Sequence, residues 1–266
     1  MRSRTPASCS RGFRASRAGR LNFCYTDVHM NTPYKRLLIK LSGEQLAGKY
    51  ESGIDAETVK WIAAEIKQAR DAGTEIAVMV GGGNYARGAQ IAGHGIGRVN
   101  ADYMGMLATL MNGLAVTDIF NDCGLPAHLL TSLEINQVAD QFTQRRAVHH
   151  LEKGRVVVIG CGTGRPYLTT DTAAVNLALE LDCDAVCKVT KVDGVYDKDP
   201  AKHSDAKKFD TLSFQQAVEN PQISVMDKAA LGLAMEQKKP VIIFDLHKED
   251  NIRRVASGEQ IGTLIS

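Results

Sequence analysis

The chain has 266 residues, 44% of them apolar and 23% charged, and a net charge of +2. That is the balance of a soluble globule with length for one large core, and so small a net charge argues against a dedicated nucleic-acid binder. No run of about 18 or more apolar residues occurs, which argues against a membrane span.

Residues 1–29 are rich in Arg and Ser and lack an acidic residue before Asp27, a composition similar to that of a transit peptide. Residues 1–33 are expected to lie outside the fold, as a disordered extension or a start upstream of the native one, because Met30-Asn31-Thr32-Pro33 can equally begin a chain. Residues 34–266 are expected to form a single domain. Strands are expected at 36–41, 75–80, 127–131, 155–161, 185–190, 240–245 and near 261–265. Helices are expected at 55–71, 101–122, 143–153, 171–182, 226–238 and 249–256. Val59, Ile62, Ala63, Ile66 and Ala69 give the first helix its apolar face. Strand–helix alternation of this kind predicts an α/β three-layer sandwich with a mostly parallel central sheet. The polar, Pro-punctuated stretch 197–224 is expected to be an excursion from that sheet. The six cysteines, Cys9, Cys24, Cys123, Cys161, Cys183 and Cys187, form no C-x-x-C pair and suit small thiols in a reducing, cytoplasmic setting.

Four segments resemble strand ends that turn into phosphate-binding loops, and ligands of open α/β sheets gather at such ends. Lys40-Leu41-Ser42-Gly43 offers a mobile cation beside a glycine that lets a phosphate approach the backbone. Gly81-Gly82-Gly83-Asn84 predicts a turn with unusual backbone angles whose N–H groups form an anion nest, with Arg87 placed to clamp phosphate oxygens. Gly162 to Asp171 leads into a helix that Thr170 or Asp171 can cap. An aspartate there would repel a bound phosphate unless paired, so Asp171 is expected to pair with Lys40 or a metal. In Thr190-Lys191-Val192-Asp193-Gly194-Val195-Tyr196, Val192 and Val195 are expected to sandwich a flat ring, Tyr196 to stack on it, and Asp199 to accept a ribose hydroxyl. Lys191 is a further candidate cation.

With Asp102-Tyr103-Met104-Gly105-Met106 and Gly162-Thr163-Gly164-Arg165-Pro166-Tyr167-Leu168-Thr169-Thr170-Asp171, the chain resembles the bacterial UMP kinases of the amino-acid-kinase superfamily over residues 34–266. The resemblance implies the amino-acid-kinase fold and phosphorylation of UMP to UDP by ATP, with Mg2+ carried on the ATP phosphates and no protein metal site. Lys40, Leu41, Ser42 and Gly43 match the loop holding the ATP phosphates, Gly83 and Arg87 match ATP contacts, and Thr190, Tyr196 and Asp199 match the adenosine site. Gly82, Asp102 and the run Thr163, Gly164, Arg165, Pro166, Tyr167, Leu168, Thr169 and Thr170 match the UMP site. Asp171 matches the aspartate that organises the phosphates, so Lys40, Asp171 and Arg87 are the expected catalytic groups. Arg165 stands where the family usually has Asn, and Thr117, Asn121 and His128 stand where relatives can carry basic residues tied to GTP activation. A homohexamer, with GTP as activator and UTP as inhibitor, is also implied. The alternatives are a kinase of the same fold acting on a carboxylate, or a non-catalytic nucleotide- or oxyanion-binding protein.

Overall fold

A computed structural model describes residues 33–86, 95–220, 223 and 225–266. The expectation for residues 1–33 thus falls, but for Pro33, outside the described residues. The elements run β1 (Arg36–Leu41), α1 (Gly43–Leu46), α2 (Ala56–Asp71), β2 (Glu75–Val80), α3 (Arg98–Asp122), β3 (Ala127–Thr131), β4 (Asp140–Gln141), α4 (Gln144–Glu152), β5 (Val156–Gly160) and α5 (Thr170–Glu180). They continue through β6 (Ala185–Thr190), β7 (Val195–Tyr196), β8 (Lys208–Phe209), β9 (Thr211–Leu212), α6 (Phe214–Glu219), α7 (Lys228–Glu236), β10 (Val241–Asp245), α8 (Asn251–Ala256) and β11 (Thr263–Ile265).

Nine strands form one sheet in the order β4-β3-β5-β2-β1-β6-β10-β11-β9. Neighbours are parallel except where β11 runs antiparallel to β10. The central strands are buried on both faces, and so their sequences are continuous apolar runs rather than alternations. Alternate residues feed two cores. Leu37, Ile39, Val78 and Val158 join α2, α3 and α8 on one side. Leu38, Met79, Val157 and Val186 join α4, α5, α6 and α7 on the other. This is the expected three-layer α/β sandwich.

Three expectations change. The stretch 197–224 is not wholly an excursion: β9 returns to the edge of the main sheet, and Leu212, Phe214 and Ala217 enter the second core. The excursion proper is the β7–β8 ribbon and its loop. Second, α3 is long and apolar enough, by length and composition, to cross a membrane, its polar residues being dispersed along it. Its inner side nevertheless packs in the first core, where Val116 and Phe120 are fully buried, as in the central helix of a layered domain. Third, Val195 cannot face a ligand ring: it is buried in the second core and pairs with Phe209.

Of the cysteines, Cys123, Cys161, Cys183 and Cys187 are free thiols, the last three buried. Burial pushes Cys161 up to about 11 and Cys183 up to about 12, so both stay protonated and unreactive at neutral pH.

Candidate active site

The period of a strand decides which residues can meet at its carboxyl end. In β1, Leu37, Ile39 and Leu41 face the first core, which leaves Lys40 on the face covered by α5. In β6, Cys187 and Val189 face the same way as Ile39, which leaves Lys188 beside Lys40. The two strands are parallel and Lys40 lies directly opposite Lys188 in the register. Two ammonium groups therefore meet on one face of the sheet, and that arrangement is stable only with an anion between them.

Asp171, in the first turn of α5, supplies it. Its Oδ1 is 2.7 Å from the Lys40 Nζ and its Oδ2 is 2.6 Å from the Lys188 Nζ. Burial alone would raise the carboxyl pKa, but the charges of Lys40 and Lys188 outweigh it and hold Asp171 below its ordinary value. For Lys188, burial and the nearby Lys40 together outweigh Asp171, and its pKa is lowered from 10.5. Lys188 also donates to the Val225 carbonyl. The trio is largely buried and carries a net charge of about +1, with two lysines on one carboxylate.

Thr169, not Thr170 or Asp171, caps α5. Its Oγ1 accepts from the Asp171 N–H at 3.0 Å and the Thr172 N–H at 3.3 Å, which places Thr170 and Asp171 inside the first turn. The Thr169 hydroxyl donates to Asp227, as does that of Thr172 at 3.1 Å, so the cap of α7 also anchors the start of α5.

Above the trio lies a cleft of about 440 Å³. Lys40, Ser42, Gly43, Gly82, Gly83, Asp102, Thr163, Arg165, Leu168, Thr169 and Thr170 all line it, so three of the four loops and the start of α3 converge as expected. Leu41 points into the first core instead, and Gly164 packs on Ser132. Pro166, Tyr167, Thr190, Tyr196 and Asp199 do not line this cleft. The Tyr196 hydroxyl donates to Asp193 at 2.5 Å, Asp199 accepts from the Ala201 N–H at 3.0 Å, and Lys191 is exposed. Arg87 lies outside the described residues.

The glycines act differently from expectation. Gly81, Gly82 and Gly83 are not in the left-handed region, so unusual backbone angles are not what requires them. Close approach is. A Cβ on Gly82 would stand 2.8 Å from the Gly105 carbonyl oxygen and 3.0 Å from the Ala108 Cβ, and one on Gly43 would stand 2.6 Å from the Gly83 nitrogen. The Gly81 N–H donates to the Leu41 carbonyl at 2.8 Å and is thus withdrawn from any anion nest. Ser42 serves as a capping box with Gln45 at the start of α1.

Asp102 is held before any ligand arrives. Arg98 Nε donates to both its oxygens at 2.8 Å, the Tyr167 N–H donates to Oδ2 at 2.8 Å, and the Arg98 guanidinium lies 5.1 Å from the Tyr167 ring centroid. Burial raises the Asp102 pKa, but these donors outweigh it and leave the group below 3.8.

Sequence reasoning missed Lys188, Arg98 and Asp227. For Lys188 a signal existed, a lysine interrupting an apolar strand just as Lys40 does. Away from the cleft, Asn121 caps the junction of α3 and β3, accepting from the Ala127 N–H at 3.0 Å. His128 pairs with Asp140 at 2.9 Å and stacks on His150, while the buried Thr117 hydroxyl has no hydrogen-bond partner among the described residues.

Comparison with known proteins places this geometry. A UMP kinase from Bacillus anthracis superposes with a TM-score of 0.84 at 38% identity, covering 88% of this chain and 96% of its own. A UMP kinase from Ureaplasma parvum gives 0.81 at 29% identity, covering 87% and 98%. A uridylate kinase from Archaeoglobus fulgidus gives 0.68 at 28%, covering 86% and 99%. Residues 35–245 match the model of the amino acid kinase family, and with these likenesses spanning nearly the whole described fold, the chain belongs to that family.

Proposed function

We propose that the cleft holds UMP and ATP and transfers the γ-phosphoryl group of ATP to UMP, giving UDP and ADP. One observation carries the reading: Lys40 and Lys188 bracket an ionised, buried Asp171 directly beneath two glycine loops. The likeness to UMP kinases supports the same acceptor.

The nucleophile is a phosphate oxygen of UMP, whose second pKa near 6 leaves it mostly dianionic at neutral pH. No proton needs to be removed, and Asp171, already ionised and bonded to two ammonium groups, is not a base. The new bond joins the γ-phosphorus to that oxygen, and the bond to the β–γ bridging oxygen breaks with its electron pair going to ADP. What the site must supply is positive charge, because two anions meet and charge spreads over the equatorial oxygens. Lys40, which lines the cleft, supplies it from the floor, and Lys188 adds its charge from behind, while Asp171 keeps both ammonium groups aimed and offsets their mutual repulsion. Asp102, prealigned by Arg98, receives a hydroxyl of the UMP ribose.

Mg2+ fits as an ion carried on the ATP phosphates rather than held by side chains. Asp171 has both oxygens engaged by lysines, and among the described residues no group of three His, Cys, Asp or Glu side chains is placed to hold a metal. When bound it would offset charge on the β- and γ-phosphates.

The enzyme is further read as a cytoplasmic homo-oligomer, a homohexamer by resemblance. Met104, Leu107, Met111 and Leu114 form an exposed apolar stripe along α3, and a second copy of the chain is the occupant proposed for it. Regulation by GTP and UTP would have to work with Thr117 and Asn121 in place of basic groups.

An ADP-release assay with UMP, CMP and glutamate as acceptors tests the main reading. UMP is expected to be turned over at least about a hundredfold more efficiently than CMP, because buried donors and acceptors leave a wrong base unpaired. Turnover of glutamate without UMP would favour the carboxylate kinase, and binding without turnover the non-catalytic protein.

A further inference from the structure

Two buried polar side chains on the inner face of α3 each hold a different loop of the cleft. The Thr109 hydroxyl donates to the Met106 carbonyl at 2.7 Å and accepts from the Cys161 N–H at 2.6 Å. Cys161 is a non-glycine residue with φ of 64°, so its left-handed backbone is strained and has to be held; Gly162 and Thr163 follow it into the cleft. One turn on, Asn112 is fully buried. Its Nδ2 donates to the Gly81 carbonyl at 2.6 Å and to Asn84 Oδ1 at 2.7 Å, and its Oδ1 accepts from Asn84 Nδ2 at 3.0 Å. Asn84 Nδ2 also donates to the Gly53 carbonyl at 2.6 Å. All four N–H groups of the two amides are used. Asn84 Oδ1 lies against Gly43, where a side chain would collide with it.

We propose that Thr109 and Asn112 are positioning residues that fix the gap between the two glycine loops across which the phosphoryl group passes. The proposal rests on the phosphoryl-transfer reading of the cleft. Asn112 lies behind the cleft wall, and Thr109 lies in that wall with its hydroxyl engaged by backbone on both sides, so each acts through a loop. Thr109 fixes the Gly162 loop, Asn112 fixes the Gly81 loop, and a single rigid helix fixes the distance between them. A polar pair that merely stabilised the core could bond to any backbone group. These two bond to the backbone of the two loops that face each other over Lys40.

Thr109→Val removes the hydroxyl at constant shape, and Thr109→Ser restores it. Per folded molecule, Thr109→Val is expected to lower kcat by about ten- to a hundredfold with KM for UMP and ATP within about threefold, the pattern of misplaced rather than unbound reactants. Its Cys161 amide should exchange with solvent faster than in the parent, and Thr109→Ser should recover most of kcat. Asn112→Leu should reproduce the loss of kcat with a lower melting temperature. A Thr109→Val protein that melts earlier but keeps its kcat, or a Thr109→Ser protein as slow as Thr109→Val, overturns the proposal. Should the parent not turn over UMP, the phosphoryl-transfer reading falls by itself. Amide exchange then judges the positioning role, and unchanged exchange of Cys161 in Thr109→Val defeats it.

Discussion

Lys188 is the member of the buried trio whose titration activity should reveal. Burial, then the charge of Lys40, lowers its pKa from 10.5 despite the opposing pull of Asp171. Between the lowered native value and the unfolded one, the unfolded chain binds more protons, so Lys188 contributes a stability that rises with pH across that window. Activity moves the other way, since a neutral amine cannot offset phosphate charge. Turnover is therefore expected to fall on the alkaline side at a pH below 10.5. Lys188→Arg keeps its charge to above about pH 12 and should lose that limb, at a lower kcat because a planar fork replaces a point charge. Profiles of kcat against pH for the two proteins check this, and an alkaline limb unchanged in Lys188→Arg contradicts it. Lys40 is legible in the sequence because a cation ends an apolar strand just before Ser42 and Gly43. Lys188 carries the same signal, but the turn at Asp193 and Gly194 makes Lys191 the more conspicuous cation. What the sequence lacks is the register of β1 on β6, which sets Lys188 opposite Lys40. The pairing of Asp171 with Lys40 is legible from electrostatics alone; its second partner is not.

Among the elements, the seven strands with central hydrogen-bonded partners and the long helices follow from period and punctuation, and their ends fall within three residues of expectation. The two-residue strands β4, β7, β8 and β9 do not, because a strand that short has no period to show and is defined by its neighbour. The glycine run at 81–83 is legible as a special turn, but the reason for it lies in how closely α3 crosses the loop. That reason can be tested. Gly82→Ala sets a methyl 2.8 Å from the Gly105 backbone oxygen, which no rotamer relieves, so loop and helix must part. A loss of about 1–3 kcal/mol is expected, together with a marked fall in kcat. Gly232→Ala in α7 meets nothing within 4 Å and should stabilise the protein by about 0.5–1 kcal/mol, because alanine is the better helix former. Urea titrations of the two variants decide the matter. Equal effects would mean that backbone freedom, rather than close approach, explains Gly82.

For the molecule as a whole, α3 is the element with two duties. Its inner side carries Asp102 and Thr109 to the cleft and Asn112 to the backbone of the Gly81 loop, and its outer side exposes Leu107 and Met111, at 46% and 50% of their surface. A lone chain of 28.9 kDa leaves that stripe in water, an arrangement that favours burial against a like stripe on a second copy. Leu107→Asp tests both duties at once. On an isolated chain a surface substitution of this kind changes stability by no more than about 0.5 kcal/mol. Across a two-fold contact it sets charges of one sign against each other in an apolar seam and should dissociate the assembly. The parent is expected to sediment as a multiple of 28.9 kDa and Leu107→Asp as a smaller species with its far-UV spectrum intact. Because the same helix holds both loops, the dissociated enzyme should also turn over more slowly, with the deficit shrinking as protein concentration rises and copies reassemble. A parent that sediments as a monomer removes the second duty of α3 and leaves the first untouched.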